Sequence, residues 1–155
     1  MKAIVLYDSA YGNTARIGDA IRAGLPEGAV ACQIADMNPG ALPATDLLVI
    51  GSPTQGGRPT EATIAWIEAV PRPRLINLRV ACFDTRLAQP SGGGLIGTLM
   101  KLLGYAAPRI ASLLRKRGAL VVAPPEGFLV EGKEGPLRAG ERERAMSWAD
   151  ALAAR

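Results

Sequence analysis

Residues 3–14 read Ala3-Ile4-Val5-Leu6-Tyr7-Asp8-Ser9-Ala10-Tyr11-Gly12-Asn13-Thr14, an apolar run that breaks into a hydroxyl-rich turn. Ile17, Ala20, Ile21 and Leu25 follow at helical spacing. The order predicts a buried strand, a tight turn and a helix N-terminus in direct succession. The first amides of a helix have no intrahelical acceptor, and aligned peptide dipoles leave partial positive charge there, so such a junction attracts anions. Ser9, Tyr11 and Thr14 add hydroxyl groups, while Gly12 and Asn13 tolerate the left-handed angles of a tight turn. The turn holds neither Lys nor Arg, so backbone and hydroxyl groups would have to hold the anion. Read alone, these residues equally make an ordinary strand-to-helix turn with Thr14 as its cap.

Outward from this stretch, four further apolar runs are expected as strands: Ala29–Cys32, Leu47–Ile50, Val80–Phe83 and Ala119–Ala123. They are continuous rather than alternating, as in strands covered on both faces. Helical patterns occupy Thr60–Ala69, Pro108–Arg117 and Glu141–Ala154, and Trp66 and Trp148 within them are expected to pack on the sheet. Between Met37 and Thr45 stand two prolines and a glycine, so any helix there is short. Strands alternating with helices imply parallel βαβ units. The segment Leu87–Tyr105, with Ser91-Gly92-Gly93-Gly94 and an apolar patch from Leu95 to Leu103, suits a lid, a binding loop or a short core-covering helix.

The chain of 155 residues is expected to form one domain, residues 1–155, and its 48% hydrophobic content implies a folded globule. No stretch reaches the roughly 20 apolar residues of a membrane span, and Met1-Lys2 runs straight into a strand without a signal peptide, so cytoplasmic residence is expected. Cys32 and Cys82 sit among apolar neighbours and are expected as buried, reduced thiols. With no His in the chain, histidine acid–base catalysis is excluded and mixed Cys/His metal sites are not expected. The net charge is +4, with cations dispersed apart from Arg72/Arg74, Arg115-Lys116-Arg117 and Arg142/Arg144. Aromatics at 5% are too few for a nucleic-acid face, which leaves acidic protein partners as the better fit to this charge.

In an open parallel sheet, ligands bind beyond the carboxyl ends of the strands where the strand order reverses. The loops leaving the first, third and fourth strands therefore belong together: Ser9–Thr14, then Gly51-Ser52-Pro53-Thr54-Gln55-Gly56-Gly57-Arg58-Pro59, then Asp84-Thr85-Arg86-Leu87. Each is rich in small, hydroxyl or turn-forming residues.

On these three motifs the chain resembles the flavodoxin family. SAYGNT is similar to that family's FMN phosphate loop, with Tyr11 in the third position; GSPTQGG and FDTR are similar to its two flavin-flanking loops. The likeness runs almost end to end and includes residues 124–145, PPEGFLVEGKEGPLRAGERERA. It implies a doubly wound α/β sheet of five parallel strands, ordered 2-1-3-4-5 with helices on both faces, binding FMN non-covalently.

Carried over residue by residue, Ser9, Ala10, Tyr11, Gly12, Asn13 and Thr14 would cradle the phosphate. Ser52, Pro53, Thr54, Gln55 and Gly56 would run along one side of the isoalloxazine. Asp84, Thr85, Arg86 and Leu87 would approach its pyrimidine end and other face. The Gly56-Gly57 peptide corresponds to the one that turns its carbonyl toward flavin N5 on reduction, and neither glycine has a Cβ to oppose positive φ.

Two departures stand out. Gln55 and Leu87 occupy positions where carriers of the family often stack aromatics. Such stacking contributes on the order of 1 kcal/mol, so losing it on both faces weakens FMN binding by roughly one to two decades. The second is charge: Arg58 and Arg86 lie in flavin-facing loops, where a cation near flavin N1 favours the reduced anion and raises its potential. Either arginine has the alternative of solvent, or of an ion pair with Glu61 or Asp84.

The resemblance implies an electron-transfer protein shuttling between a reductase and an acceptor. An FMN-dependent NAD(P)H:quinone-type oxidoreductase on the same fold is the enzymatic alternative. A non-flavin phosphate-binding or signalling module is the third, suggested by Asp8 and Asp84, although Pro124-Pro125 stands where a receiver would carry its lysine.

Overall fold

A computed structural model of the chain describes residues 1–88, 94–95 and 104–155. The Ser91–Gly94 and Leu95–Leu103 expectations therefore lie outside the described residues, Gly94 and Leu95 excepted.

The central sheet is built from β1 (Ala3–Tyr7), β2 (Val30–Gln33), β3 (Leu47–Pro53) and β4 (Arg79–Leu87). Their order is β2-β1-β3-β4, all parallel, with β5 (Leu120–Val121) beyond β4. The expected 2-1-3-4-5 order is thus present, with a sixth strand added. Strand β6 (Glu126–Val130) pairs in parallel with the far half of β4, from Phe83↔Glu126 to Leu87↔Val130. The expected strand at Ala119–Ala123 is shorter because Pro124 and Pro125 have no amide proton to continue the ladder. Past the prolines the chain resumes pairing on the same edge.

Helices α1 (Asn13–Gly24), α2 (Glu61–Ala69), α3 (Arg72–Leu75), α4 (Ala106–Lys116) and α5 (Glu141–Ala153) link or close these strands. The proline-rich stretch after β2 forms only 3₁₀ turns, at Ile34–Asp36 and Pro39–Ala41. Alternate strand residues feed two cores. Ile4, Leu6, Leu48, Ile50, Val80 and Cys82 pack with Trp66, Ile67, Ile110 and Leu114 on the α2/α4 face. Val5, Leu47, Val49, Ala81 and Phe83 pack with Ile17, Ile21, Ala145 and Leu152 on the α1/α5 face. Each fully buried aliphatic side chain contributes about 1.5–3 kcal/mol, so burial on both faces explains the continuous apolar runs.

Trp66 is buried and its indole N–H donates to the Met37 carbonyl at 2.7 Å, while Trp148 meets the Phe128 ring edge-on, their centroids 6.0 Å apart. Burial pushes the Cys82 thiol up to about 12, and the half-buried Cys32 thiol is also raised. No helix among the described residues is long and apolar enough to cross a membrane.

Candidate functional site

The turn after β1 is organised by Ser9, whose Oγ accepts the Gly12 amide at 3.1 Å and the Ala15 amide at 3.3 Å. Gly12 enters α1 at φ +89°, a conformation that disfavours any side chain, and it supplies no side-chain cap. The Arg16 amide closes the first helical turn on the Gly12 carbonyl at 3.0 Å. Between these, the amides of Asn13 and Thr14 have no acceptor among the described residues. Both residues are buried, and the Asn13 Nδ2 also has no acceptor among the described residues. Thr14 is therefore not the cap; its hydroxyl shares a 2.8 Å hydrogen bond with Thr85 on β4.

The second wall begins at the end of β3. Ser52 is fully buried, donating to the Pro53 carbonyl at 2.9 Å and accepting the Thr60 amide at 3.0 Å, so it braces the loop from behind. Gln55 and Arg58 exchange backbone hydrogen bonds at 2.9 and 3.1 Å around Gly56 (φ +57°) and Gly57 (φ +77°). Positive φ at both central residues is the signature of a type I′ turn, which explains two consecutive glycines.

The third segment differs from expectation. Asp84, Thr85, Arg86 and Leu87 are not a loop but the last residues of β4, held between β3 and β6. Polar residues remain in strand here because the second half of the split edge pairs with them. Asp84 is fully buried and binds Arg86 through two 2.7 Å hydrogen bonds, Nε to Oδ1 and Nη2 to Oδ2. It also accepts the Ala107 amide at 2.9 Å, while Thr54 Oγ1 accepts the Ala106 amide at 3.0 Å, so these two side chains fasten the start of α4. Burial pushes the Asp84 carboxyl above its ordinary value, opposed by Arg86, the Ala107 amide and the Thr54 hydroxyl. The Arg86 guanidinium lies 3.6 Å from the centre of the Tyr105 ring and is backed by Gly127, where a Cβ would overlap it.

These segments enclose a cleft of about 620 Å³, inside the roughly 300–1,000 Å³ range of small-molecule sites. It brings together Ser9, Ala10, Tyr11, Asn13 and Thr14 with Pro53, Thr54, Gln55, Gly56, Thr85, Arg86 and Leu87. Gly12, Ser52, Gly57 and Asp84 do not line it; they shape the backbone or anchor those that do. Val130 and Lys133 line it as well, and the sequence reading missed them. Val130 ends the apolar run after the two prolines and Lys133 follows it, inside the 124–145 segment whose likeness to the family gave neither residue a role.

The charge arrangement also differs. Arg86 is matched by Asp84, one of the alternatives open to it, and this leaves no exposed acidic pair with Asp8 for a receiver-type pocket. Arg58 lines a separate groove between α2 and α4, beside Arg109 and Lys116. The donor set therefore offers an anion the open amides at the α1 end, and offers a flat group the space between the Thr54–Gly56 turn and the end of β4.

A family model described as flavodoxin matches residues 5–148. No curated protein matches the sequence. Among solved structures, a flavodoxin from the domain Archaea superposes with a TM-score of 0.76 at 18% identity, covering 99% of this chain and 97% of that one. Flavodoxin 1 from Bacillus cereus gives 0.74 at 15% identity over 100% and 99%. The flavodiiron protein from Giardia intestinalis gives 0.74 at 20% identity over 99% of this chain but 35% of its own.

Proposed function

This chain belongs to the flavodoxin family, and from that premise we propose that it binds FMN non-covalently in the cleft and carries electrons between a reductase and an acceptor protein. The observation that carries this reading is the pair of unmet amides at Asn13 and Thr14, at one end of a cleft of about 620 Å³. Those amides, with the Asn13 side chain, suit a phosphate monoester. FMN, when bound, supplies the electron chemistry.

The chain's own part is to bind, orient and shield. Thr54, Gln55 and Gly56 would flank the ring from one side, and Thr85, Arg86 and Leu87 from the other. The Gly56-Gly57 peptide, with positive φ at both residues, can turn over without a Cβ penalty and would present either its amide or its carbonyl to a bound flavin. No carboxylate or imidazole stands among the described lining residues.

One observation favours a second reading. Tyr11 is the only aromatic among the described lining residues, and Gln55 and Gly56 are exposed, so a substrate has room beside the ring. An NAD(P)H:quinone-type oxidoreductase would use that room. A visible spectrum of the purified protein, before and after added FMN, tests the shared premise: flavin bands that stay with the protein through gel filtration are expected, and their absence contradicts both readings. Steady NAD(P)H oxidation with a quinone and no added reductase would favour the enzyme; dependence on a reductase supports the carrier.

A further inference from the structure

We propose that Lys133 is the cation that makes the cleft select a phosphorylated flavin over its unphosphorylated parent, an inference that rests on the flavin reading above. Lys133 sits at the tip of a short ribbon formed as the chain leaves β6. Val130 and Leu137 bridge antiparallel, the Glu131 amide donates to the Pro136 carbonyl at 2.9 Å, and the Gly135 amide donates to the Gly132 carbonyl at 3.0 Å. The ribbon is pressed against the start of α1: a Cβ on Gly135 would lie 2.8 Å from the Asn13 Oδ1. The ribbon thus lies against the Asn13 side chain, and Lys133 lines the same cleft as Asn13 and Thr14.

Two of the other cations nearby are ion-paired, and the third bonds a neutral amide oxygen. Arg86 is held by Asp84, Arg138 faces Glu131 at 3.8 Å, and Arg16 donates to the Asn13 Oδ1 at 3.4 Å. Lys133 has no ion-pair partner among the described residues. Neutral amides at a helix N-terminus carry only partial charge, whereas a phosphate monoester is close to a dianion at neutral pH. An ammonium on a braced turn supplies the missing point charge, through a charge-assisted hydrogen bond that a ribityl hydroxyl cannot equally exploit.

The test compares FMN and riboflavin dissociation constants, from quenching of flavin fluorescence, for the native chain, Lys133→Met and Lys133→Arg, at low and high salt. Circular dichroism checks that each variant is folded. Lys133→Met is expected to weaken FMN about tenfold while leaving riboflavin within about twofold. Lys133→Arg should stay near native, and the salt dependence of FMN binding should be blunted in Lys133→Met. Unchanged FMN affinity, or equal losses for both flavins, overturns the inference alone. Binding of neither flavin by the native chain overturns the flavin reading and this inference with it.

Discussion

Asp84 and Arg86 form a pair in which the fully buried carboxylate depends on a partly exposed guanidinium. The carboxylate has no solvent contact, and its hydrogen bonds come from Arg86 and from the amide that starts α4. Arg86 is itself confined between the Tyr105 ring and Gly127. Removing the guanidinium strands a buried charge, so Arg86→Ala is expected to cost about 3 kcal/mol in urea unfolding. Adding Asp84→Asn should recover part of that loss, because the stranded charge is then gone. Strictly additive losses would contradict this account. The types of these residues were legible in the sequence, and so was the option of their pairing. Their strand geometry was not, because Asp-Thr-Arg looks like a loop until a partner strand lies beside it.

The elements teach the same lesson about range. β1, β3 and the first half of β4 were visible as apolar runs because burial on both faces writes itself into consecutive residues, and β2 was read as well although it is an edge strand with Val30 exposed. The last edge was half legible: Ala119–Ala123 marked β5, but β6 was not read, since pairing is interrupted by Pro124-Pro125 and resumes in a stretch where Glu126 and Gly127 dilute the apolar signal. That second half is locked to α5 by Glu141, whose carboxylate accepts the Leu129 amide at 2.6 Å and pairs with Arg144 at 2.7 Å. The Arg144 guanidinium beside it, with the Leu129 amide, holds the Glu141 carboxyl below its ordinary 4.5. A depressed carboxyl contributes stability that is fully present above its unfolded value and is lost as pH falls through its folded value. Glu141→Gln should therefore lower the melting temperature near pH 7 by roughly 5 °C, for a loss of about 2 kcal/mol. The gap to the native chain should narrow as pH falls below the ordinary 4.5 and close only once the depressed Glu141 carboxyl is itself protonated. A gap independent of pH would contradict the assignment.

At the scale of the molecule, much of the chain's positive charge serves the fold. Arg74 donates to the Leu42 carbonyl at 3.0 Å, Arg117 to the Val70 carbonyl at 2.6 Å, and Arg144 to Glu126 at 2.9 Å. Other cations face open space, among them Lys133 at the cleft and Arg58 on the neighbouring groove. The strand order, and with it the meeting of the first and second loops, was available from the sequence as what its resemblance to the flavodoxin family implies; the alternation of strands and helices by itself gave parallel βαβ units. The place of Lys133 was not legible, since it depends on a ribbon that returns across the sheet edge to Asn13. The central claim is that a phosphorylated flavin sits with its phosphate at the start of α1. Amide-resolved NMR during an FMN titration tests it most directly. The largest shifts are expected at Asn13 and Thr14, with smaller ones at Thr54–Gly57, Thr85–Leu87 and Lys133. No shifts, or shifts confined to the groove between α2 and α4, would contradict it.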